Sequence, residues 1–485
     1  MQRRFLFAFR TMMLSSLLAA GACQAGLAQI PPRSRMEEQL AQESRTAQLV
    51  HEGYKLTAEQ AASLETALAQ APGDLNLRGK LLGYYFSPAS QSLGPQARIQ
   101  ARRTHILWLI RNHPDSALLT TSESTIDSHG NPLADAVGYQ EARKAWLEQT
   151  AKSDATVAVL AGEARFFFLP DKALAAQFYA RASKLEPDNQ MWVAKQGSVM
   201  AFAIAGVTGM NQNGFPDVAD AAEAGSAYAI SARRELETSK DAPLILAAAG
   251  ELMWRGSMAQ TMARQTGRAL PVDALQLAET LLKRLQELEP GKPDSSLGLA
   301  RIYELRGMSA TSPAEKKALA QARYEQLVKA VGALPPADPH NSSQLLVLAG
   351  AALDVGELQR AQSIAQQLLE LVPKLKADPR LSWSVDGVVH HSQLILGRVA
   401  LRQGNLEAAK AHLLDAARVS GGGSLSSFGP NMTLAKELLE KGESAAVLEY
   451  FELCRKFWSF SNRLDPWIDA IHKGQMPNFG ANLNY

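Results

Sequence analysis

The chain has 485 residues, 46% of them apolar and 20% charged, with 34 glycines, 23 prolines and two cysteines. That balance excludes disordered, collagen-like and disulfide-scaffold classes, and the length suits either two or three ordinary domains or one quasi-linear array of repeats. The formal charge of +2 includes Arg3, Arg4 and Arg10 in an acid-free leader, so the rest of the chain carries −1, without the basic stripe that nucleic acid requires.

Residues 1–28 read as an export signal: a basic start through Arg10, an apolar run from Met12 to Ala20, then small residues. The run is too short to span a bilayer. Cleavage fits after Ala22 or after Ala28. A third reading comes from Ala20-Gly21-Ala22-Cys23, which resembles a bacterial lipoprotein box in which Cys23 becomes the lipid-bearing first residue. That box usually holds leucine where Ala20 stands, and the plainer reading makes Cys23 a small residue of the cleavage region. The expected location is outside the cytoplasm, in the periplasm or cell envelope, with membrane attachment only through a lipidated Cys23. A chain starting after Ala28 keeps Cys454 alone and forms no intrachain disulfide.

Residues 29–50 are polar, contain Pro31-Pro32 and read as a linker. Residues 51–204 read as an N-terminal helical repeat region. Its first clear helix opens at Thr57 with Gln60 as a capping box and closes at Pro72-Gly73, and an irregular stretch from Asp115 to Gly138 interrupts it. Residues 205–226 read as a loop dividing the chain, 227–420 as C-terminal helical repeats, and 421–485 as a last repeat with an aromatic cap.

Small and large apolar residues recur on one helical stripe. Ala175, Tyr179 and Ala182, with Pro187 to stop the helix, form the clearest instance. This pattern resembles the second helix of a tetratricopeptide repeat, a helix-turn-helix unit of 34 residues. The same slots hold Leu396-Gly397, Gly404, Ala409, Leu413 and Ala416; then Leu348-Ala349, Gly356, Ala361, Ala365, Leu368 and a terminating Pro373; then Leu434-Ala435, Gly442, Val447, Phe451 and Cys454. In each of these three units a turn glycine stands five residues before the small residue of the next helix. Two further units, at Leu299-Ala300, Tyr303 and Gly307 and at Gly256 with Ala278, Leu282, Leu285 and Pro290, fit with insertions that lengthen the turn. The expected fold is therefore all-α, tetratricopeptide-like repeats stacked as an α-solenoid with a helical C-terminal cap. From Gly421 onward the chain resembles exported bacterial tetratricopeptide-repeat proteins, a resemblance that brings no activity with it.

The search for chemistry returns little. The nine histidines show no catalytic spacing, and neither a nucleophile elbow, a zinc-protease helix nor a phosphate-binding Gly-Lys-Ser/Thr loop occurs. Adjacent helical residues point about 100° apart, so His390-His391 makes a poor metal pair and reads as an exposed helix start. Cys454 reads as a small core residue. Tyr450, Phe451, Phe457, Trp458, Phe460 and Trp467 form either a stacking platform or, the favoured reading, a seal over the last repeat. Arg301, Arg398 and Lys436 each follow the small residue of a first helix, and first helices line the concave face in the family resembled. Three cations in one repeated slot could clamp a peptide carboxylate, against the plainer reading of scattered surface charge. No catalytic residue, cofactor or metal is expected. The expected function is a non-catalytic scaffold of the cell envelope that binds a protein or peptide. The alternatives are a cell-wall glycan-acting enzyme with a helical superhelix, or a glycan-binding outer-membrane lipoprotein with exposed Trp458 or Trp467.

Overall fold

A computed structural model describes residues 33–129, 132–207, 221–267, 272–335, 338–423 and 425–483. The export signal with Cys23, and most of the loop expected at 205–226, lie outside the described residues. The described chain is all-helical, with no strand among the described residues. It divides into two compact units, 1–281 and 282–485.

In unit 1 the helices are α1 (Arg33–Gly53), α2 (Ala58–Gln70), α3 (Leu75–Phe86), α4 (Pro95–Asn112), α5 (Ala136–Thr150), α6 (Val157–Phe167), α7 (Lys172–Leu185), α8 (Met191–Ile204), α9 (Ala227–Thr238), α10 (Ala242–Thr266) and the start of α11 (Ala274–Leu288). Polar residues ahead of α2, α3, α5, α6, α7, α9, α10 and α11 satisfy the first backbone N–H groups. Thr57 and Gln60 form the expected reciprocal capping box on α2, Asp74 accepts from Asn76 and Leu77 at 2.8 and 3.0 Å, and Asp135 accepts from Gly138 at 2.9 Å. The chain stops α7 at Leu185, two residues before Pro187. From α2 to α8 each helix packs on the next, α8 then meeting both α9 and α10.

The expected linker at 29–50 is corrected by α1, which covers 33–53 and packs on α3. Only a narrow stripe of it docks, Thr46 and Val50 being buried among polar neighbours, and so no strong apolar period marks it. Two glycines make the docking possible. A Cβ at Gly83 would stand 1.9 Å from the Val50 carbonyl oxygen, and one at Gly53 2.0 Å from that of Lys80, distances open only to hydrogen.

The irregular stretch after α4 contains two 3-10 turns, Ala117–Thr120 and Ser122–Ser124. Arginines of α4 pin it. Arg102 donates to the carbonyls of Glu123 and Thr125 at 3.0 and 2.7 Å, and Arg103 pairs with Asp135 at 2.7 Å.

Unit 2 holds the rest of α11 and then α12 (Pro293–Ser309), α13 (Pro313–Gly332), α14 (Ser342–Val355), α15 (Leu358–Ala377), α16 (Val385–Arg402), α17 (Leu406–Ala416), α18 (Thr433–Leu439), α19 (Ser444–Arg455) and α20 (Leu464–His472). From α12 to α17 each helix packs on its successor, and α18 sits on α16, α17 and α19. The three turn glycines are one device used three times. Gly356, Gly404 and Gly442 have φ of 90°, 81° and 86°, and the residue after each donates back to Ala352, Ala400 and Leu438 at 2.8, 2.9 and 3.0 Å. This is the Schellman closure, which needs the left-handed conformation that glycine adopts without strain. Five residues on, Ala361, Ala409 and Val447 are fully buried.

Other expected turns are displaced. Gly307 lies inside α12, and only Ala310 to Ser312 separate that helix from α13, which Pro313 opens. Gly256 lies inside α10, its Cα facing Leu275. The inserted residues thus lengthen helices more than turns. Pro373 does not end α15, which continues through it to Ala377 because Leu375 still finds a buried place. The division of the chain falls within α11 and not at 205–226.

Candidate functional site

The three cations of the repeated slot stand on α12, α16 and α18, each engaged by a carboxylate. Arg301 pairs with Glu304 on the same helix, Lys436 with Glu440 one turn on, and Arg398 reaches Glu437 of α18 at 2.9 Å. Arg301 is about half exposed at 49%, whereas Arg398 is shielded at 19%. The expected trio is therefore neutralised in place, and an incoming carboxylate has to compete with a resident one.

Around them runs a ladder of neighbouring charges of both signs. Glu304 also accepts from Arg323 of α13 at 3.1 Å, and Arg323 reaches Asp354 of α14 at 3.6 Å. Asp354 and Glu437 both act on Arg402, one turn beyond Arg398 on α16. Arg402 makes no ion pair within 4 Å among the described residues and instead donates to the Leu353 carbonyl at the end of α14. Burial, then the neighbouring Arg398, lower its pKa, and Glu437 and Asp354 oppose them. The order Arg301, Glu304, Arg323, Asp354, Arg402, Arg398, Glu437, Lys436, Glu440 thus runs across five helices of unit 2. Each exposed pair is worth at most about 1 kcal/mol, so the ladder's weight lies in placing charge, not in stability. The spacing Arg398 to Arg402, one helical turn, was the one available signal for Arg402.

The remaining candidates are packed away. His390 is fully buried in the interior of α16, so the exposed helix start expected for His390-His391 is corrected. Its Nδ1–H donates to the Ala416 carbonyl at 2.7 Å, and its Nε2 accepts the Asn431 N–H at 3.2 Å. Burial and His391 hold it neutral, with a pKa lowered to about 3. Cys454 is buried, and burial raises its thiol pKa, which makes it unreactive.

Tyr450, Phe451, Phe457, Trp458 and Trp467 are buried in one core with Phe479, and Phe460 alone of the six stays exposed. Trp467 lies 5.0 Å from Phe479 and 5.8 Å from Trp458 between ring centroids, so both indoles needed outside by the glycan-binding reading are core. Among the described residues of this unit, Trp383 and Phe428 are exposed as well.

Unit 1 holds the nearest approach to a catalytic dyad, His105 Nε2 at 3.0 Å from Glu65. The guanidinium of Arg78 donates to His105 Nδ1 at 3.1 Å, which places the ring proton on Nε2. Tyr85 donates to Glu65 at 2.8 Å. Burial would raise Glu65, but His105, Tyr85 and Arg78 together hold it below its ordinary range. Burial raises Tyr85 further from ionisation. Both ring nitrogens and Glu65 Oε1 thus tie α2, α3 and α4 together, and the Tyr85 hydroxyl, held away from ionisation, is a poor nucleophile.

Among the described residues no cluster of three or more His, Cys, Asp or Glu can hold a metal, and no helix is long and apolar enough to cross a membrane. No family profile matches the chain, and no curated protein matches it in sequence.

Proposed function

We propose that this chain is a tetratricopeptide-like, non-catalytic scaffold of the bacterial cell envelope that holds a protein or peptide along the charge ladder of unit 2. The observation that carries the reading is the ladder itself. It places charges of both signs on α12, α13, α14, α16 and α18, and paired charges at a surface select partners by complementarity more than they add affinity. Three identical glycine closures with buried small residues after them support the repeat kinship. Export rests on residues 1–28.

Proximity labelling with the tagged chain in the native envelope tests the proposal. It is repeated with Arg301, Arg398 and Lys436 all changed to glutamate, and circular dichroism confirms that the variant folds. A short, reproducible set of protein partners lost in the folded variant is the expected result. A set unchanged by the reversal, or one without specific members, would sink it.

A further inference from the structure

Between α15 and α16 the chain turns through Ser382–Ser384 and leaves the Trp383 side chain 64% exposed. The ring is nonetheless held in place. Its N–H donates to the Arg380 carbonyl at 2.8 Å, and its Cε3 edge lies against the glycine turn at 421–423, where a Cβ on Gly423 would stand 3.6 Å away. With the N–H occupied, the ring offers a ligand its electron-rich face. Among the described residues no other ring and no cation is stacked on it.

Asp386 follows three residues later in the first turn of α16, on the side of the helical path that Trp383 shares. The glycine turn meets both residues. Asp386 Oδ2 accepts from the Gly422 N–H and from the Ser420 hydroxyl, each at 2.7 Å. A Cβ on Gly422 would lie 3.2 Å from that oxygen and 3.8 Å from the Trp383 carbonyl oxygen. Gly421 and Gly423, with φ of 85° and 64°, supply the left-handed bends that let the backbone come so close. Both donors go to Oδ2. Oδ1 accepts no hydrogen bond among the described residues, and no cation there pairs with the carboxylate. The neighbouring arginines are engaged elsewhere, Arg380 with Asp378 at 2.7 Å and Arg418 with Asp415 at 2.6 Å. Those pairs are neutral, so the surface beside Trp383 keeps one negative charge.

An exposed indole face beside an uncompensated carboxylate complements a cation. Which cation follows from the acceptors left open. A guanidinium fork seeks two carboxylate oxygens, whereas an ammonium is a point charge that one oxygen can meet, and only Oδ1 is open. Phe428 and Phe460, both exposed, border the same loop, which is tied by the Ser459 N–H donating to the Ser426 carbonyl at 2.8 Å. They offer apolar surface to the residues that flank the cation.

We propose that Trp383 and Asp386 form a site for a lysine side chain of a protein or peptide partner, its ammonium donating to Asp386 Oδ1 and resting on the indole face. None of these residues belongs to the charge ladder, so the site stands or falls independently of the ladder's role.

Fluorine NMR of the full-length protein carrying 5-fluorotryptophan tests the site, the Trp383 signal being identified by its loss in Trp383→Phe. The probes are the peptide acetyl-Leu-Lys-Leu-amide, its Nε-acetyl-lysine form and its arginine form. They are titrated into the natural chain and into Asp386→Asn, which keeps an oxygen for Gly422 and Ser420 but removes the charge. The lysine peptide should shift the Trp383 signal saturably. Its affinity should fall about tenfold in Asp386→Asn, and acetylation of the lysine should weaken binding to the natural chain by a similar factor. The arginine peptide should bind less tightly than the lysine peptide. Absence of a saturable shift at Trp383, equal affinity in the two proteins, or acetyl-lysine or arginine peptides that bind as well as the lysine peptide would overturn the proposal.

Discussion

Glu163 lies on α6 with its side chain fully buried and neither carboxylate oxygen hydrogen-bonded. Burial pushes its pKa from 4.5 up to about 8, and the charge of Arg181 offsets only part of that. In the unfolded chain the same group ionises near its ordinary value. Between pH 4.5 and about 8 the folded state therefore keeps a proton that the unfolded state has lost, so stability falls as pH rises through this window and levels off above it. At about 1.4 kcal/mol per pH unit, the loss reaches roughly 3 kcal/mol by pH 7 and up to about 5 kcal/mol above pH 8. Glu163→Gln keeps the shape and removes the ionisation. Urea unfolding followed by far-ultraviolet circular dichroism should find the variant and the natural chain nearly equal at pH 5. The variant should be more stable by roughly 3 kcal/mol at pH 7, and by more at pH 9. A gap that does not change with pH, or a variant that is weaker at pH 9, refutes the reasoning, because either result means that the carboxyl reaches water or a partner.

Three further outcomes follow from the packing. Gly83→Ala places a methyl against the Val50 carbonyl, where backbone cannot yield, and should cost at least about 2 kcal/mol; limited trypsin digestion should then cut at the exposed Arg45 sooner than in the natural chain. Arg398→Glu should destabilise unit 2 by about 1–3 kcal/mol, with Arg398→Glu combined with Glu437→Arg recovering most of it in a double-mutant cycle of urea midpoints. His390→Phe removes the hydrogen bonds that His390 makes to the Ala416 carbonyl and accepts from the Asn431 N–H and should cost about 2–4 kcal/mol at pH 7. His390 itself contributes a weakening as pH falls below 6.5 toward about 3, because the folded state holds the ring neutral while the unfolded state takes up a proton, so the gap between the natural chain and the variant should narrow over that range.

Several of these features were legible in the residues alone because their causes are local. The capping box at Thr57 and Gln60, the stop before Pro187, and the closures at Gly356, Gly404 and Gly442 depend on steric and hydrogen-bonding rules that span six residues or fewer. The burial of Ala361, Ala409, Val447 and Cys454 follows from their phase relative to those turns.

What depended on neighbours distant in sequence was not legible. The helix α1 has too polar a face to announce itself, and it is held by two glycines 30 residues apart whose value appears only when α1 and α3 cross. Gly256 and Gly307 look like turn glycines, yet helical residues continue on both sides and packing keeps the helix going. The neutralisation of Arg301, Arg398 and Lys436, and the exception at Arg402, likewise required the partners to be placed. Local sterics decide where a helix begins and ends, and so the sequence by itself determined the all-α character and the repeated turns. Electrostatic partnership and close backbone approach are properties of pairs of helices, so only the tertiary structure decided which charges are paired with one another.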